Sequence, residues 1–352
     1  MNYLAVLQKG ARIGGGVFGE VFLCVDPVQG QVAAKHFYAA NFSTPAAWQE
    51  ACEKALAEAQ ALKALEHCNI VRVHQVLLAI AGSEFLIVTE YCEERSARDK
   101  TSANSFTLKQ MKHVAREAAI GLNYIHGQGY LHRDIKPDNI LLKANGEVKV
   151  GDFGFVTDQL QFGFATPYGT PAYWAPEVRQ EKACTELSDV YSLGTTLLNL
   201  VSGDLWFFRQ GRGQIFKEDA DGYPFVASDM LFLPHVTTAW RNTIARLIRA
   251  DKTKRCASMA EAVNLISRLP VVEDWACDVG PDEINWTMEK GGRRFRVRWE
   301  NYLRDNDSWV AWSEAHNGSA KRTLARSSSV DKWQKRYRSL QLFFEKRTPK
   351  HR

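Results

Sequence analysis

The sequence predicts an α+β chain: a β-rich lobe, a mostly helical lobe, and a small basic, tryptophan-rich module at the end. Three observations predict it. Short β-branched and aromatic runs, separated by glycine-containing turns, fill residues 1–89 around one alanine-rich helix. From Leu108 onward apolar residues recur at helical spacing. At Leu269-Pro270 a helical pattern stops at a proline and the composition changes. The boundaries follow as 1–89, 90–270 and 271–352. A chain of 352 residues is long enough for two or three domains at roughly 100–200 residues each.

The elements read in order as follows. Ala11–Ile13, Val21–Val25 and Val32–His36 are short strands. Pro45–Glu66 lacks glycine, is rich in alanine and long side chains, and reads as a helix. Val71–Leu78 and Phe85–Thr89 return to strand character. Leu108–His126 is an amphipathic helix ending at Gly127, and Leu187–Val201, Thr238–Ile248 and Met259–Leu269 are further helices. In the last module Arg294–Trp299 alternates apolar residues with arginine, Asp305-Asn306-Asp307 makes a turn, and Ser308–Trp312 is a second strand. Val330–Phe344 reads as a basic, aromatic helix. This module is expected to be β-barrel-like, closed by the helix, with a faint resemblance to a chromo-like barrel.

Charge separates the parts. The chain carries 45 Lys+Arg and 40 Asp+Glu. Residues 271–352 hold 17 basic and 12 acidic residues, so the whole excess of +5 sits there and the rest is neutral. The stretch 315–352 has 11 basic and 2 acidic residues, and six of the ten tryptophans (275, 286, 299, 309, 312, 333) fall in 271–352. No apolar stretch approaches the roughly 18 residues that span a bilayer, which argues against a membrane receptor. No secretory signal is expected from Met1-Asn2-Tyr3-Leu4. The seven cysteines are scattered, with no CxxC pair, so a reducing, cytoplasmic setting is expected rather than a disulfide framework or zinc site.

Chemistry concentrates in four places. Gly14-Gly15-Gly16-Val17-Phe18-Gly19 fits G-x-G-x-x-G, but Glu20, Val21 and the residues after them read as a strand. The loop therefore joins two strands, which excludes a dinucleotide-binding fold and leaves a hairpin whose backbone N–H groups can approach phosphates. Lys35 ends the apolar run Val32-Ala33-Ala34, and a lysine facing inward there needs an anionic partner. Glu58 shares a helical stripe with Leu62 and Leu65, which turns it toward the interior. Finally, His132-Arg133-Asp134-Ile135-Lys136-Pro137-Asp138-Asn139 precedes the apolar Ile140-Leu141-Leu142, and Asp152-Phe153-Gly154 follows the strand Val148-Lys149-Val150. Asp152 and Asn139 offer oxygen ligands to a hard divalent cation. Lys136 can neutralise a phosphoryl group, and Asp134 can accept a hydroxyl proton.

In this order and spacing the residues resemble a eukaryotic-type (Hanks-type) serine/threonine protein kinase over about residues 5–270. The matching motifs are the glycine loop, V-A-x-K at Lys35, H-R-D-x-x-x-x-N, D-F-G, and A-P-E at Ala175-Pro176-Glu177, with Asp189 and Arg255 at their own family positions. The resemblance implies a bilobal protein-kinase-like fold, ATP and Mg²⁺ as cofactors, and a protein hydroxyl as substrate. It implies that the loop from Ile13 through Gly19 to Glu20 covers the ATP phosphates, that Lys35 holds them while paired with Glu58, and that Asn139 and Asp152 hold Mg²⁺. Asp134 would be the catalytic base, with Lys136 beside it. Val21 and Ala33 would line the adenine pocket above and Leu141 below; Thr89 would be a small gatekeeper, and Glu90 and Cys92 the hinge. Thr166, three residues before Gly169, would be an activating phosphosite facing Arg133. Two departures stand out: Phe155 after D-F-G, which in the family favours serine as acceptor, and the polar Glu93–Asn104, which lacks the usual glycine pair.

The last module allows two partners. Basic residues interleaved with aromatics suit nucleic acid. Tryptophans forming the core of a module docked on the kinase or on a protein partner are the simpler account. The alternatives to a kinase are a nucleotide-binding scaffold and a nucleic-acid-associated signalling protein working through this module.

Overall fold

The computed structural model describes residues 7–16, 19–78, 83–101, 104–152, 165, 169–270, 274–328 and 330–347. The first lobe is a five-stranded antiparallel sheet in the order β1-β2-β3-β5-β4. Its strands are β1 (Gln8–Gly16), β2 (Gly19–Asp26), β3 (Gly30–Tyr38), β4 (Val73–Leu78) and β5 (Glu84–Glu90), with helix α1 (Pro45–Ala64) inserted between β3 and β4. The Asp26 carboxylate accepts from the backbone N–H groups of Val28 and Gln29 at 2.8 and 2.9 Å, and this turn sets the β2–β3 hairpin. Alternation along the strands makes two faces. Cys24, Val32, Ala34 and Val88 pack on one; Phe37, Phe85 and Ile87 pack on the other against Ala55 and Ala59 of α1. Ala33 and Lys35 share the α1 face, opposite Thr89 and Ile87 of β5.

The second lobe contains α2 (Ala97–Thr101), β6 (Asn104–Ser105), α3 (Leu108–Gly127), the hairpin β7 (Ile140–Leu142) and β8 (Val148–Val150), α4 (Pro176–Gln180), α5 (Glu186–Ser202), α6 (Asp204–Phe207), the hairpin β9 (Phe216–Glu218) and β10 (Pro224–Val226), α7 (Thr238–Leu247) and α8 (Met259–Ser267). Capping boxes start α3 at Thr107 and α5 at Thr185. Every residue of α5 from Ser188 to Ser202 is buried, so it is the axis of this lobe. Gly194 is needed there: a Cβ would stand 2.6 Å from Leu247 Cβ, so only glycine lets α7 approach this closely.

The remaining strands are β11 (Ala276–Val279), β12 (Glu283–Lys290), β13 (Arg293–Glu300), β14 (Ser308–Ala315) and β15 (Arg322–Arg326), followed by α9 (Trp333–Glu345). They form one antiparallel sheet in the order β15-β14-β13-β12-β11-β6. The expected barrel has no closing pair among the described residues; the sheet is open, with β15 and β6 at its edges. Its last strand belongs to the second lobe, since Cys277 and Asp278 pair with Ser105 and Asn104. The six tryptophans of 271–352 are all buried. The indole N–H groups of Trp286, Trp299, Trp309, Trp312 and Trp333 donate to His235 Nδ1, Asp307, the Arg336 carbonyl, Glu314 and the Tyr302 carbonyl. The arginines of β13 are paired too: Arg294 with Glu289 and Arg296 with Glu314, each at 2.6 Å. Ser327 accepts from the Trp309 N–H at 3.0 Å, which ties the end of β15 back to β14.

The seam between this sheet and the second lobe is part of one continuous core. Trp206 faces Trp299 with ring centroids 6.3 Å apart, and the Tyr337 hydroxyl donates to the Phe232 carbonyl at 2.8 Å. His235 lies in this seam, where burial and the nearby Arg241 push its pKa down to about 3. The unfolded chain binds a proton at this histidine from about pH 6.5, while the folded chain does not. Stability from this site is therefore full above pH 6.5 and lost as pH falls, by about 2 kcal/mol at pH 5. Replacing it (His235→Asn) keeps an acceptor for Trp286 and removes the titration. Melting curves at pH 7 and pH 5 should show a smaller acid loss in that variant; an equal loss would place the acid sensitivity elsewhere.

Candidate active site

The site is built where the two lobes meet. The loop after α3 is fixed by Asp189 near the start of α5, buried at 1% exposure. Its carboxylate accepts from the His132 N–H at 2.8 Å, the Arg133 N–H at 3.0 Å and His126 Nε2 at 2.9 Å. Burial alone would raise its pKa; these partners, His126 foremost, hold it below the usual value. Arg133 sits at φ 66° and Asp152 at φ 55°, left-handed conformations that non-glycine residues adopt only when their surroundings hold them. Arg133 adjoins Asp134, and His132 Nε2, 3.2 Å from the Gly151 carbonyl, ties the two loops together.

Asp134 is the centre of the cluster and is buried at 3% exposure. Its Oδ1 accepts from the Thr170 N–H at 2.9 Å and the Thr170 hydroxyl at 3.0 Å. Its Oδ2 accepts from Lys136 Nζ at 2.6 Å and Asn139 Nδ2 at 3.1 Å. Lys136 also donates to Thr170 Oγ1 at 2.9 Å. Gly169 makes this contact possible: it sits at φ +99°, and a Cβ there would stand 2.3 Å from the Arg133 carbonyl oxygen.

Across the cleft, Lys35 Nζ reaches Asp152 Oδ1 at 3.1 Å. Burial raises the Asp152 pKa, but the ammonium groups of Lys35 and Lys136 outweigh it and keep the group low, hence ionised. The side chain of Glu58, and Val17, Phe18 and Thr166, lie outside the described residues. The other expected residues are brought together. Ala33 and Val21 sit on neighbouring strands above the cleft, and the Thr89 hydroxyl donates to the Ala33 carbonyl at 3.4 Å. Leu141 is on β7 below, where it touches the position a Cβ of Gly151 would take. Ile13 to Gly16 and Gly19 to Glu20 form the ends of the β1–β2 hairpin.

The connection between lobes is held by charge. Glu90 accepts from the Arg72 N–H at 2.9 Å and pairs with Lys143 and Lys149 at 3.3 Å each, so the β7–β8 hairpin grips the end of β5. Cys92 is buried, and burial together with Glu90 pushes its thiol up to about 12, which keeps it neutral. Lys143, Lys149 and His126 are the residues sequence reasoning missed. A lysine beside a short strand and a histidine near a helix end read as surface groups until the fold brings their partners.

Among the described residues no group of three or more His, Cys, Asp or Glu could hold a metal by itself. Asp152 and Asn139 supply one carboxylate and one amide, and with Nδ2 committed to Asp134 the Asn139 oxygen is the atom left for a cation. Such a sparse oxygen set suits a Mg²⁺ ion that keeps waters and takes phosphate oxygens for the rest of its shell.

Residues 7–265 match the family model described as the protein kinase domain. The chain is 30% identical over 218 residues to the serine/threonine-protein kinase MST20 of Pyricularia oryzae, covering 58% of this chain and 24% of that protein. It is 37% identical over 145 residues to the serine/threonine-protein kinase STE20 of Yarrowia lipolytica, covering 41% and 13%. A probable serine/threonine-protein kinase of Dictyostelium discoideum is 30% identical over 236 residues, covering 63% and 44%. The chain thus spans less than half the length of each of these relatives.

Proposed function

The chain belongs to the protein kinase family, and we propose that it is an active enzyme moving the γ-phosphoryl group of ATP to serine or threonine hydroxyls of proteins. The observation that carries this reading is the Asp134 carboxylate, fixed by Thr170, Lys136 and Asn139, beside a second carboxylate, Asp152, paired with Lys35. Asp134 takes the proton of the attacking hydroxyl, and Lys136 offsets charge on the phosphoryl group in transit. Lys35, for which Glu58 is the expected partner, and the Gly14–Gly19 loop would hold the nucleotide phosphates. Asn139 and Asp152 would hold Mg²⁺, which supplies charge neutralisation between the phosphates. Ala33, Val21, Thr89, the backbone at Glu90 and Cys92, and Leu141 enclose the adenine. Positioning and electrostatics do most of the work in such a transfer, which is why a site rigidly hydrogen-bonded before substrate arrives supports activity.

Thr166 is read as an activating phosphosite, whose added charge of about −1.5 to −2 would meet Arg133. Residues 271–352 are read as a docked module for protein partners, a reading supported by the buried tryptophans and the paired arginines. No described helix is long and apolar enough to cross a membrane.

The test uses Lys35→Met and Asp152→Asn beside the wild-type chain, with Mg²⁺-ATP and a generic protein acceptor. Transfer should be lost in both, and nucleotide binding should weaken in Lys35→Met. Transfer that survives both substitutions contradicts the assignment. Wild type that binds nucleotide without transferring phosphate favours the scaffold reading.

A further inference from the structure

Arg98, on the short helix α2 just after the connection between the lobes, bonds to four different side chains. Its guanidinium lies 3.3–3.4 Å from Asp138, donates to Asn199 Oδ1 at 3.1 Å and to the Tyr173 hydroxyl at 2.8 Å, and pairs with Asp204. Two of these partners are tied to the transfer site through the chain. Asp138 stands beside Asn139 and four residues beyond Asp134, a segment that spans at most about 14 Å. Tyr173 stands three residues beyond Thr170, which bonds Asp134 directly. Arg98 is a side chain of the chain itself, seated in an acidic cleft at the edge of the catalytic loop.

The cleft is open on one side. The Asp138 side chain is 46% exposed and that of Arg98 is 22% exposed. Among the described residues no second cation pairs with Asp138 or Asp204. Without Arg98 the cleft would keep two carboxylates and the Asn199 amide oxygen, arranged as a fork that already accepts a guanidinium. Burial disfavours charge on Arg98, yet its acidic surroundings hold its pKa above the ordinary value, so it is a permanent cation there.

We propose that Arg98 is a specificity-determining residue: it fills from within the chain an acidic cleft beside Asp134 that would otherwise take a basic side chain of the protein substrate. The enzyme therefore does not select arginine or lysine at the one flanking position that this cleft would read. This rests on the kinase reading above, and it narrows the substrate class to proteins that need no basic residue at that position.

The experiment compares wild type with Arg98→Ala on peptides that carry a central serine and Arg, Ala or Glu at each flanking position. Wild type should treat Arg and Ala peptides alike. In Arg98→Ala, kcat/KM should rise about tenfold for Arg over Ala at one flanking position, and adding Asp138→Asn and Asp204→Asn should abolish the gain. A flat profile in an active Arg98→Ala enzyme overturns the proposal, as does a wild-type enzyme that already prefers arginine there. If the alanine variant folds poorly, Arg98→Met keeps the stem packed near Phe208 and carries the same expectation. A second readout needs no activity. Methylguanidinium should raise the melting temperature of the Arg98 variant and leave wild type unmoved; equal shifts in both would overturn the cleft. If wild type transfers no phosphate at all, the kinase reading falls while this shift still decides whether Arg98 masks a cation site.

Discussion

Asp134→Asn is expected to lower turnover by about 10²–10⁴-fold, the typical worth of a positioned base. The wild-type carboxylate accepts from the Thr170 N–H and hydroxyl, Lys136 and Asn139. An amide keeps one oxygen but turns an NH₂ group toward one of these donors. It therefore loses both the proton acceptor and part of the scaffold, with a stability cost of about 1–3 kcal/mol. Rate and melting temperature must be measured on the same preparation. A folded variant within tenfold of wild type would remove Asp134 from the role of base.

Arg255→Ala should be the most destabilising single substitution proposed for this chain. The Arg255 side chain has no exposed surface and meets Glu177 in a two-pronged pair, Nη1 to Oε1 at 2.5 Å and Nη2 to Oε2 at 2.9 Å. It also donates to the carbonyls of Arg249 and Leu187 and lies over the Tyr191 ring. Removing it leaves a buried carboxylate without its partner, a loss of about 3–5 kcal/mol, which corresponds to a melting temperature lower by roughly 10 °C in a domain of this size. The pair Glu177→Gln with Arg255→Met should recover part of that loss, because no isolated charge remains. A shift of Arg255→Ala below about 2 °C would show that the pair is dispensable.

Much of the site was legible because its chemistry lies in short contiguous motifs. Asp134, Lys136 and Asn139 share one loop, and Asp152 follows one strand, so residue type and order were enough to select them. The contacts were not legible. Nothing local assigns Thr170 to both carboxylate and lysine, or brings His126 to Asp189 across 63 positions. Helices α3, α5, α7 and α8 were readable from apolar spacing, to within a residue or two at each end. In the last module two strands and the helix were anticipated, while β11, β12 and β15 were not. β12 carries a clear alternation, with Ile284, Trp286 and Met288 turned inward and the polar Asn285 and Thr287 between them, a period-2 signal that could have found it. The open sheet could not be foreseen, because its last strand, Asn104–Ser105, is supplied by a polar stretch more than 170 residues earlier. The six tryptophans did read correctly as core, since indoles packed against each other fill a small module more readily than they form a stacking surface.

Phosphate transfer to serine or threonine is the activity on which every assignment above depends. The most direct test incubates the purified wild-type chain with Mg²⁺ and γ-labelled ATP and identifies the labelled amino acids. Label is expected on serine and threonine, with Thr166 among the sites, and none on tyrosine. Bound ATP with no label on the chain or on an added protein would contradict it.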